Sequence, residues 1–469
     1  MYWSMEERNV MPYRSLSRNV LAVGLVAFLV GQAGAQQGAQ QGAQQGAQQG
    51  AQQGAQQPAE GPPLTLQLAE MMALQNHPQI QAAQSESSYA NRQITEARAA
   101  YYPSVAGELT GSEANTGSRI GAGYITDSRL FDRFGDGISV TQLITDVGRT
   151  KNLVASSRLQ AQAGVQNVQA TRYDVMLAVT RAYFDVLHGE ALIRTAQETI
   201  KTRQTVQNQV TQLAKNNLRS QLDVSFADVN VSEAQLILIR AENSLDEAYA
   251  ELARALGSDQ VIRYQVQEEV LPPNLTANPD DLVIQAVANR PELASLRYSR
   301  DAAYKFAEAE KDLTRPTVSF IGEAGYMPYI QQLTSTQIPN EYAGGAVNVS
   351  IPLFNGHLFS ARRAAAEDRA MESEQRLRDE QLRLSRDVRV AWANASTAYR
   401  RMAVTAQFVQ QAAMALNLAQ GRYNLGLASI VELSQSQLNQ TQAEIENVSA
   451  KYDYQSAYQA LQYTIGQLR

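Results

Sequence analysis

This chain repeats itself, and the repeat limits what it can fold into. Asn76-His77-Pro78-Gln79-Ile80 returns at a shift of 213 as Asn289-Arg290-Pro291-Glu292-Leu293, and Pro103-Ser104-Val105 returns at the same shift as Pro316-Thr317-Val318. Further on the shift becomes 209. Leu143-Ile144-Thr145-Asp146 falls on Pro352-Leu353-Phe354-Asn355, Val179, Ala182 and Tyr183 fall on Val388, Ala391 and Trp392, and Leu256-Gly257 falls on Ile465-Gly466. One register held this long points to a duplicated supersecondary unit. The first copy has four extra residues between about 106 and 142, where a surface loop absorbs length cheaply. We place the copies at residues 62–272 and 273–469.

Within each copy the hydrophobic period changes twice. A helical stretch, 64–100 or 279–313, runs up to Pro103 or Pro316, which cannot continue a helix. Alternating residues follow, with Val105, Gly107 and Leu109 opposed to Ala106, Glu108 and Thr110, and Val318, Phe320 and Gly322 opposed to Thr317, Ser319 and Ile321. A Gly/Ser/Asp-rich loop then leads to a second alternating run, 138–141 or 347–351, so each copy carries two strands. Tyr101, Tyr102, Phe131, Phe134, Tyr326, Tyr329, Tyr342 and Phe354 cluster around these four strands. They suit either an aromatic girdle at a membrane interface or the packing of a small soluble sheet.

A very long helix comes next. Residues 148–214 contain no proline, and at 1.5 Å per residue they span roughly 100 Å. Val165, Val179, Val186, Ile193 and Ile200 keep a seven-residue register, with Val168, Val175, Ala182 and Ala196 three positions on, which is the seam of a coiled coil. A turn near Asn216 and Asn217 leads into a returning helix, 222–256, closed by Gly257. The second copy repeats this over 361–421 and 430–465, with Gly426 in the turn. Glu374 with Arg378, and Asp379 with Arg383, stand four apart on its solvated face.

Composition narrows the functions open to such a chain. Among 469 residues, Lys and Arg number 40 against 46 Asp and Glu, and the sequence pI is about 5.4, so no basic field exists for a nucleic-acid partner. With no cysteine, disulfide scaffolds, thiolate catalysis and iron–sulfur ligation are excluded. The histidines His77, His188 and His357 lie far apart and make no metal-binding pair. No G-x-S-x-G, P-loop or H-E-x-x-H occurs, so neither an enzyme nor a cofactor is expected. Asp132 and Asp136 give only part of a calcium loop, because Phe134 and Leu143 occupy ligand positions, and they read as a surface loop between strands. Asp280 and Asp281 read as capping residues at a helix start.

The N-terminus reads as an address and a tether. Arg14 and Arg18 precede the apolar run 20–30, which ends in Gly31-Gln32-Ala33-Gly34-Ala35, the pattern of a cleaved signal peptide over residues 1–35. No cysteine follows for lipid attachment. Residues 36–61 are built mainly of Gln-Gln-Gly-Ala copies with nothing to bury, so a flexible tether is expected. Past the leader no apolar run is long enough for a spanning helix, which leaves a β-barrel as the route into a membrane.

Each chain thus offers four β-segments of about the length that crosses a membrane when tilted. Four strands cannot close a barrel, so they pair as a soluble sheet or are pooled among several chains. Long hairpins with Ala/Gln-rich seams need neighbours on both sides, which a ring supplies. Pattern reasoning therefore gives a secreted homo-oligomer with strands in an outer membrane and a helical projection in the periplasm.

The doubled unit, Ile144-Thr145-Asp146-Val147-Gly148, Pro352-Leu353-Phe354-Asn355-Gly356 and Gly421-Arg422-Tyr423-Asn424-Leu425-Gly426-Leu427-Ala428-Ser429-Ile430-Val431-Glu432-Leu433 resemble the TolC family of outer membrane efflux proteins. The likeness covers about residues 62–469. It implies a mainly α fold with membrane β structure: a homotrimer whose twelve strands form one transmembrane β-barrel continuous with a long α-helical barrel. It also implies passive export through that tunnel, docked to a periplasmic adaptor and an inner-membrane transporter of RND or ABC type, with outer membrane lipid around the strands.

In the family an acidic ring narrows the periplasmic tip, at the turns between long helices. The matching positions are Asp223 and Glu432, and Tyr423 matches the aromatic position of the constriction. Each acid also sits at the start of a returning helix, where a carboxylate is favoured in any case, and the two roles can coexist. Two departures stand out. A second family acid is Gln435 here, and a family basic residue is Ala428; Arg219, in the other turn, is the candidate replacement cation. Three readings follow: an export duct for small toxic compounds, the same duct in type I protein secretion, and a periplasmic coiled-coil scaffold without a pore.

Overall fold

The computed structural model describes residues 61–112, 133–328 and 340–467. The leader 1–35, the segment 36–61 except Gly61, and Phe131, Asp132 and Tyr329 lie outside the described residues. The described chain begins with β1 (Pro63–Leu64), α1 (Leu66–Asn76), α2 (Pro78–Ala99), β2 (Ser104–Ser112), β3 (Arg133–Thr145), α3 (Arg149–Lys215), α4 (Gln221–Ala255) and β4 (Gln265–Val266). It continues with α5 (Pro279–Asn289), α6 (Pro291–Lys311), β5 (Thr317–Tyr326), β6 (Glu341–Ser350), α7 (Leu358–Asn424) and α8 (Ile430–Thr464).

The copies match closely in dimension. The two outgoing helices, α3 and α7, each have 67 residues, and the two returning helices, α4 and α8, each have 35. The α7 bounds are wider than the sequence placed them. Proline also divides the leading helical stretches, each of which reads from sequence as one helix. Pro78 and Pro291 take the first position of α2 and α6, so 64–100 becomes α1 plus α2, and 279–313 becomes α5 plus α6. His77 caps α2, its ring Nδ1 accepting from the Gln79 amide at 3.2 Å.

Each corner is covered by the end of its own copy. Gly257 and Gly466 both close their helices at φ +72, and a Cβ on Gly257 would lie 2.9 Å from the His77 Cα. The corner and the closing glycine therefore constrain each other across the length of the unit.

The returning helices are about half as long as the outgoing ones, and this decides who packs against whom. α4 covers only the far half of α3, and the near half lies against α2 and α6. Gly164 meets Ser87 and Ala90 there. Val168, Val175, Val179, Ala182, Val186 and Ala196 of the seam are buried, but Val165 is 46% exposed because the partner at its level is not α4. The central core gathers Leu64, Ala69, Ile80, Val179, Tyr183, Leu252 and Leu256, where β1 and β4 form a short parallel pair. The Tyr183 hydroxyl donates to the carbonyls of Leu64 (3.1 Å) and Gln267 (2.7 Å), tying both to α3. Its counterpart Trp392 donates from the indole to the Ala277 carbonyl at 3.0 Å.

The four long strands form one antiparallel sheet in the order β2-β3-β5-β6. Val105 pairs with Val140, and their counterparts Val318 and Val349 pair in the same register. β3 begins earlier than the alternation suggests. Asp136 lies inside it, not in a surface loop. Of the two expected ion pairs on α7, Arg383 meets Asp379 at 2.7 Å, but Glu374 instead accepts from the Tyr304 hydroxyl. Asn278 is the α5 cap, accepting from the Asp280 amide at 3.1 Å, with Asp280 and Asp281 in the first turn.

Glu70, on α1, accepts from the Thr180 hydroxyl at 3.2 Å and faces Glu269. Burial pushes its carboxyl up to about 7, and Glu269 adds to the rise. The folded chain thus holds this proton more tightly than the unfolded chain. Stability is expected to fall as pH rises from about 4.5 to about 7 and then to level off. Thermal melts across that window should show the slope in the natural chain, and Glu70→Gln should reduce it while melting higher at alkaline pH.

Candidate channel wall and periplasmic turns

Opposed residues of the sheet share a face, and the two faces differ in chemistry. One is mainly apolar, carrying Val105, Leu109, Phe134, Ile138, Val140, Phe320, Val347 and Val349 among glycine and alanine, with Asp136 and Glu341 towards its loop end and Gln142 towards its helix end. The other is mainly polar, carrying Glu108, Thr110, Ser139, Thr141, Glu323 and Asn348 beside Leu143, Ile321 and Tyr342, and the Ser139 hydroxyl donates to Glu108 at 3.1 Å. Val105, Leu109, Ile138 and Val347 are all exposed by half or more. Of the clustered aromatics, Tyr101, Tyr102 and Phe354 stand at the helix end of the strands. Phe134 and Tyr326 stand at the opposite end on the apolar face, and Tyr342 stands there on the polar face, so exposed rings border the strands at both ends.

The passage from strand to long helix is a sharp corner in both copies. Val147 and Gly148 have φ of 55 and 111, and Gly356 and His357 have φ of 63 and 67. Asp146 holds the first corner, accepting from the Thr150 amide at 2.7 Å and the Thr150 hydroxyl at 2.6 Å. Glu310, only 2% exposed, sits between Arg149 at the start of α3 (3.6 Å) and Arg362 at the start of α7 (3.0 Å).

At the far end the two turns lie side by side. Ser220 and Asp223 form a capping box at the start of α4, while the Ser429 hydroxyl accepts from the Glu432 amide at 3.3 Å at the start of α8. Arg219 links the turns: its guanidinium lies 4.3 Å from the Tyr423 ring centroid and donates to the Tyr423 carbonyl. Tyr423 is 2% exposed and packs with Val206, Val210, Val224, Ala227, Ile430 and Leu433. Burial pushes its phenol up, Asp223 adds to the rise, and Arg219 opposes it. Gln435 is turned along its own helix, donating to Asn439 at 3.0 Å.

Arg422 went unnoticed in the sequence. It lies 3.5 Å from the Glu432 carboxylate, and it donates to the Leu427 carbonyl at 3.3 Å, so it both closes the turn and pairs the acid. Its place beside Tyr423, just before the Gly426 turn, was the available signal. Arg203, Asn230, Gln437 and Thr441 were also missed, because single polar residues in a helical period look like surface.

The outer membrane efflux protein family model matches residues 71–258 and 282–467, once over each copy. The chain belongs to the outer membrane efflux protein family. It is 26% identical over 421 residues to the alkaline protease secretion protein AprF of Pseudomonas aeruginosa, covering 85% of this chain and 83% of that one. It is 23% identical over 418 residues to the outer membrane protein TolC of Vibrio cholerae, covering 86% and 91%. The solved outer membrane protein VceC of Vibrio cholerae has the same fold, with a TM-score of 0.71 at 18% identity over 86% of this chain and 96% of that one. As a member of this family the chain is an outer membrane channel protein with a periplasmic helical extension.

The buried Tyr423 hydroxyl has no hydrogen-bond partner among the described residues. Tyr423→Phe is therefore expected to leave stability unchanged or to raise it, whereas Tyr423→Ala should cost about 3 kcal/mol by emptying the cluster. Thermal melts with hydrogen exchange at the turns should separate the two variants.

Proposed function

We propose that three copies of this chain pool their sheets into a twelve-stranded barrel, continuous with a helical tunnel, and that this duct passively exports small toxic compounds from the periplasm. The observation that carries the reading is the sheet itself. It has one mainly apolar exposed face, one mainly polar face, and, among the described residues, two edges at β2 and β6 without a strand partner. Such edges have no partner in hydrocarbon unless another chain supplies one. Twelve strands close a barrel wide enough for an aqueous lumen lined by the polar face.

The helices support the same assembly. Leu222, Val229, Leu236 and Ile239 make an exposed stripe on α4, and Val404, Met414 and Leu418 make another on α7, continued by Leu425 at its C-cap. α4 and α7 are the outer helices of the layer α4-α3-α8-α7, so each stripe faces where a neighbouring copy would stand. A coiled-coil scaffold without a pore has no use for the apolar sheet face.

The paired turns are the tunnel entrance in this reading. Asp223 and Glu432 put carboxylates around it, Tyr423 with Arg219 braces it, and Gln435 leaves the second acidic position neutral. A periplasmic adaptor and an inner-membrane transporter of RND or ABC type would supply substrate and energy, and the duct itself needs neither cofactor nor catalysis. Likeness to a protease secretion protein supports a second use of the same duct, as the outer component of type I secretion.

Two outcomes test this. Ile138 and Ser139 occupy one level of the sheet on opposite faces. Ile138→Lys should lower the yield of membrane-inserted oligomer, at about 2–4 kcal/mol for a lysine at mid-bilayer, and Ser139→Lys should not. Equal losses would contradict the face assignment. Glu432→Ala should weaken block of single-channel current by multivalent cations, with unchanged block counting against a lumenal carboxylate.

A further inference from the structure

Two layers lie between hairpin α3/α4 and hairpin α7/α8 near the turns. The layer at the turns is the apolar cluster around Tyr423. The layer behind it is polar. Arg203 of α3, 3% exposed, donates from one terminal nitrogen to the Asn230 carbonyl (2.8 Å) and the Glu233 carboxylate (3.3 Å), and from the other to the Thr441 hydroxyl of α8 (3.2 Å). The Asn230 amide donates to the Ser434 hydroxyl (2.8 Å) and to Gln437 Oε1 (3.2 Å), also on α8.

The belt is incompletely satisfied. Arg203 Nε and Gln437 Nε2 are buried and have no hydrogen-bond partner among the described residues. The carboxylate that balances Arg203, Glu233, is half exposed. A buried guanidinium loses its hydration, and here the bonds at its terminal nitrogens are not matched by any at Nε. Beside it, a recess of about 240 Å³ lined by Thr199, Arg203, Gln437 and Thr441 gives water a path to these atoms once the hairpins part.

We propose that Arg203 is a spring set against the contact between the two turns, its unsatisfied burial between the two hairpins favouring their separation. This rests on the reading of the turns as the tunnel entrance. The apolar cluster and the Arg219–Tyr423 contact hold the turns together, and the buried guanidinium behind them lowers the cost of opening.

The sign of one substitution decides between spring and tie. The chain has no cysteine, so Leu218→Cys with Leu427→Cys places one spin label on each exposed turn. Diluting the doubly labelled chain with cysteine-free chain makes the measured distance an intrachain one. In that background Arg203→Met should shift the distribution toward the short distance, with a roughly ten-fold fall in the open-to-closed ratio, the low end of what replacing buried ions by apolar groups achieves. Glu233→Gln, a surface change that leaves folding intact, removes the counter-charge and should shift it toward the long distance. Lengthening on Arg203→Met would make the belt a tie and overturn the proposal, as would no movement with Glu233→Gln. Bilayer recording on the natural chain separates the two readings: no conductance there defeats the export duct, while the distances still judge Arg203.

Discussion

Backbone amides and carbonyls along a sheet edge need partners, and within a bilayer water cannot provide them. Here the edges are β2 and β6, and the sheet between them exposes a band of apolar side chains on one face, Val105, Leu109, Ile138 and Val347 among them. The organisation of the chain follows from that constraint. Neither copy alone, with two strands, nor both together, with four, can satisfy the edges, and this is the ground on which further copies are proposed to complete a ring.

The helices extend the same logic into water. A helix of 67 residues cannot be covered by one of 35, so α3 and α7 take different partners along their length. Close to the strands these are α2 and α6, and beyond the central knot around Tyr183 they are α4 and α8. The knot is where the partners of α3 change, and there the β1/β4 pair, the Pro78 corner and Gly257 come together, while the Pro291 corner and Gly466 meet beside a second core cluster around Leu293 and Val388. At the strand end, Glu310 between two arginines ties the starts of α3 and α7 to α6.

Much of this was legible in the sequence because it is periodic. The two shifts of the duplication reappear as one hairpin register, Val105 with Val140 and Val318 with Val349. The alternation of Val105 and Ile138 against Glu108 and Ser139 separated the sheet faces before their pairing was known. What was not legible depended on contacts between distant positions. The seam at Val165 failed because its partner there is not α4, a fact of helix length that local periodicity does not carry. Pro78 and Pro291 could have been read as breaks, since proline at the first helical position starts a helix as readily as an interior one ends it. Arg203 and Arg422 were invisible because a charged residue in a helix looks solvated until the facing helix is known.

At the turns the same local chemistry serves two ends. Asp223 and Glu432 complete helix caps, which any helix start would favour, and in a ring they would also place carboxylates around the narrowest part of a tunnel. Both that function and the lumen behind the sheet depend on closure by further copies. The mass of the detergent-extracted, intact assembly tests this most directly. The account predicts a single species of three chains that resists dissociation until the barrel is denatured; a stable monomer, or a ring of another number, would contradict it.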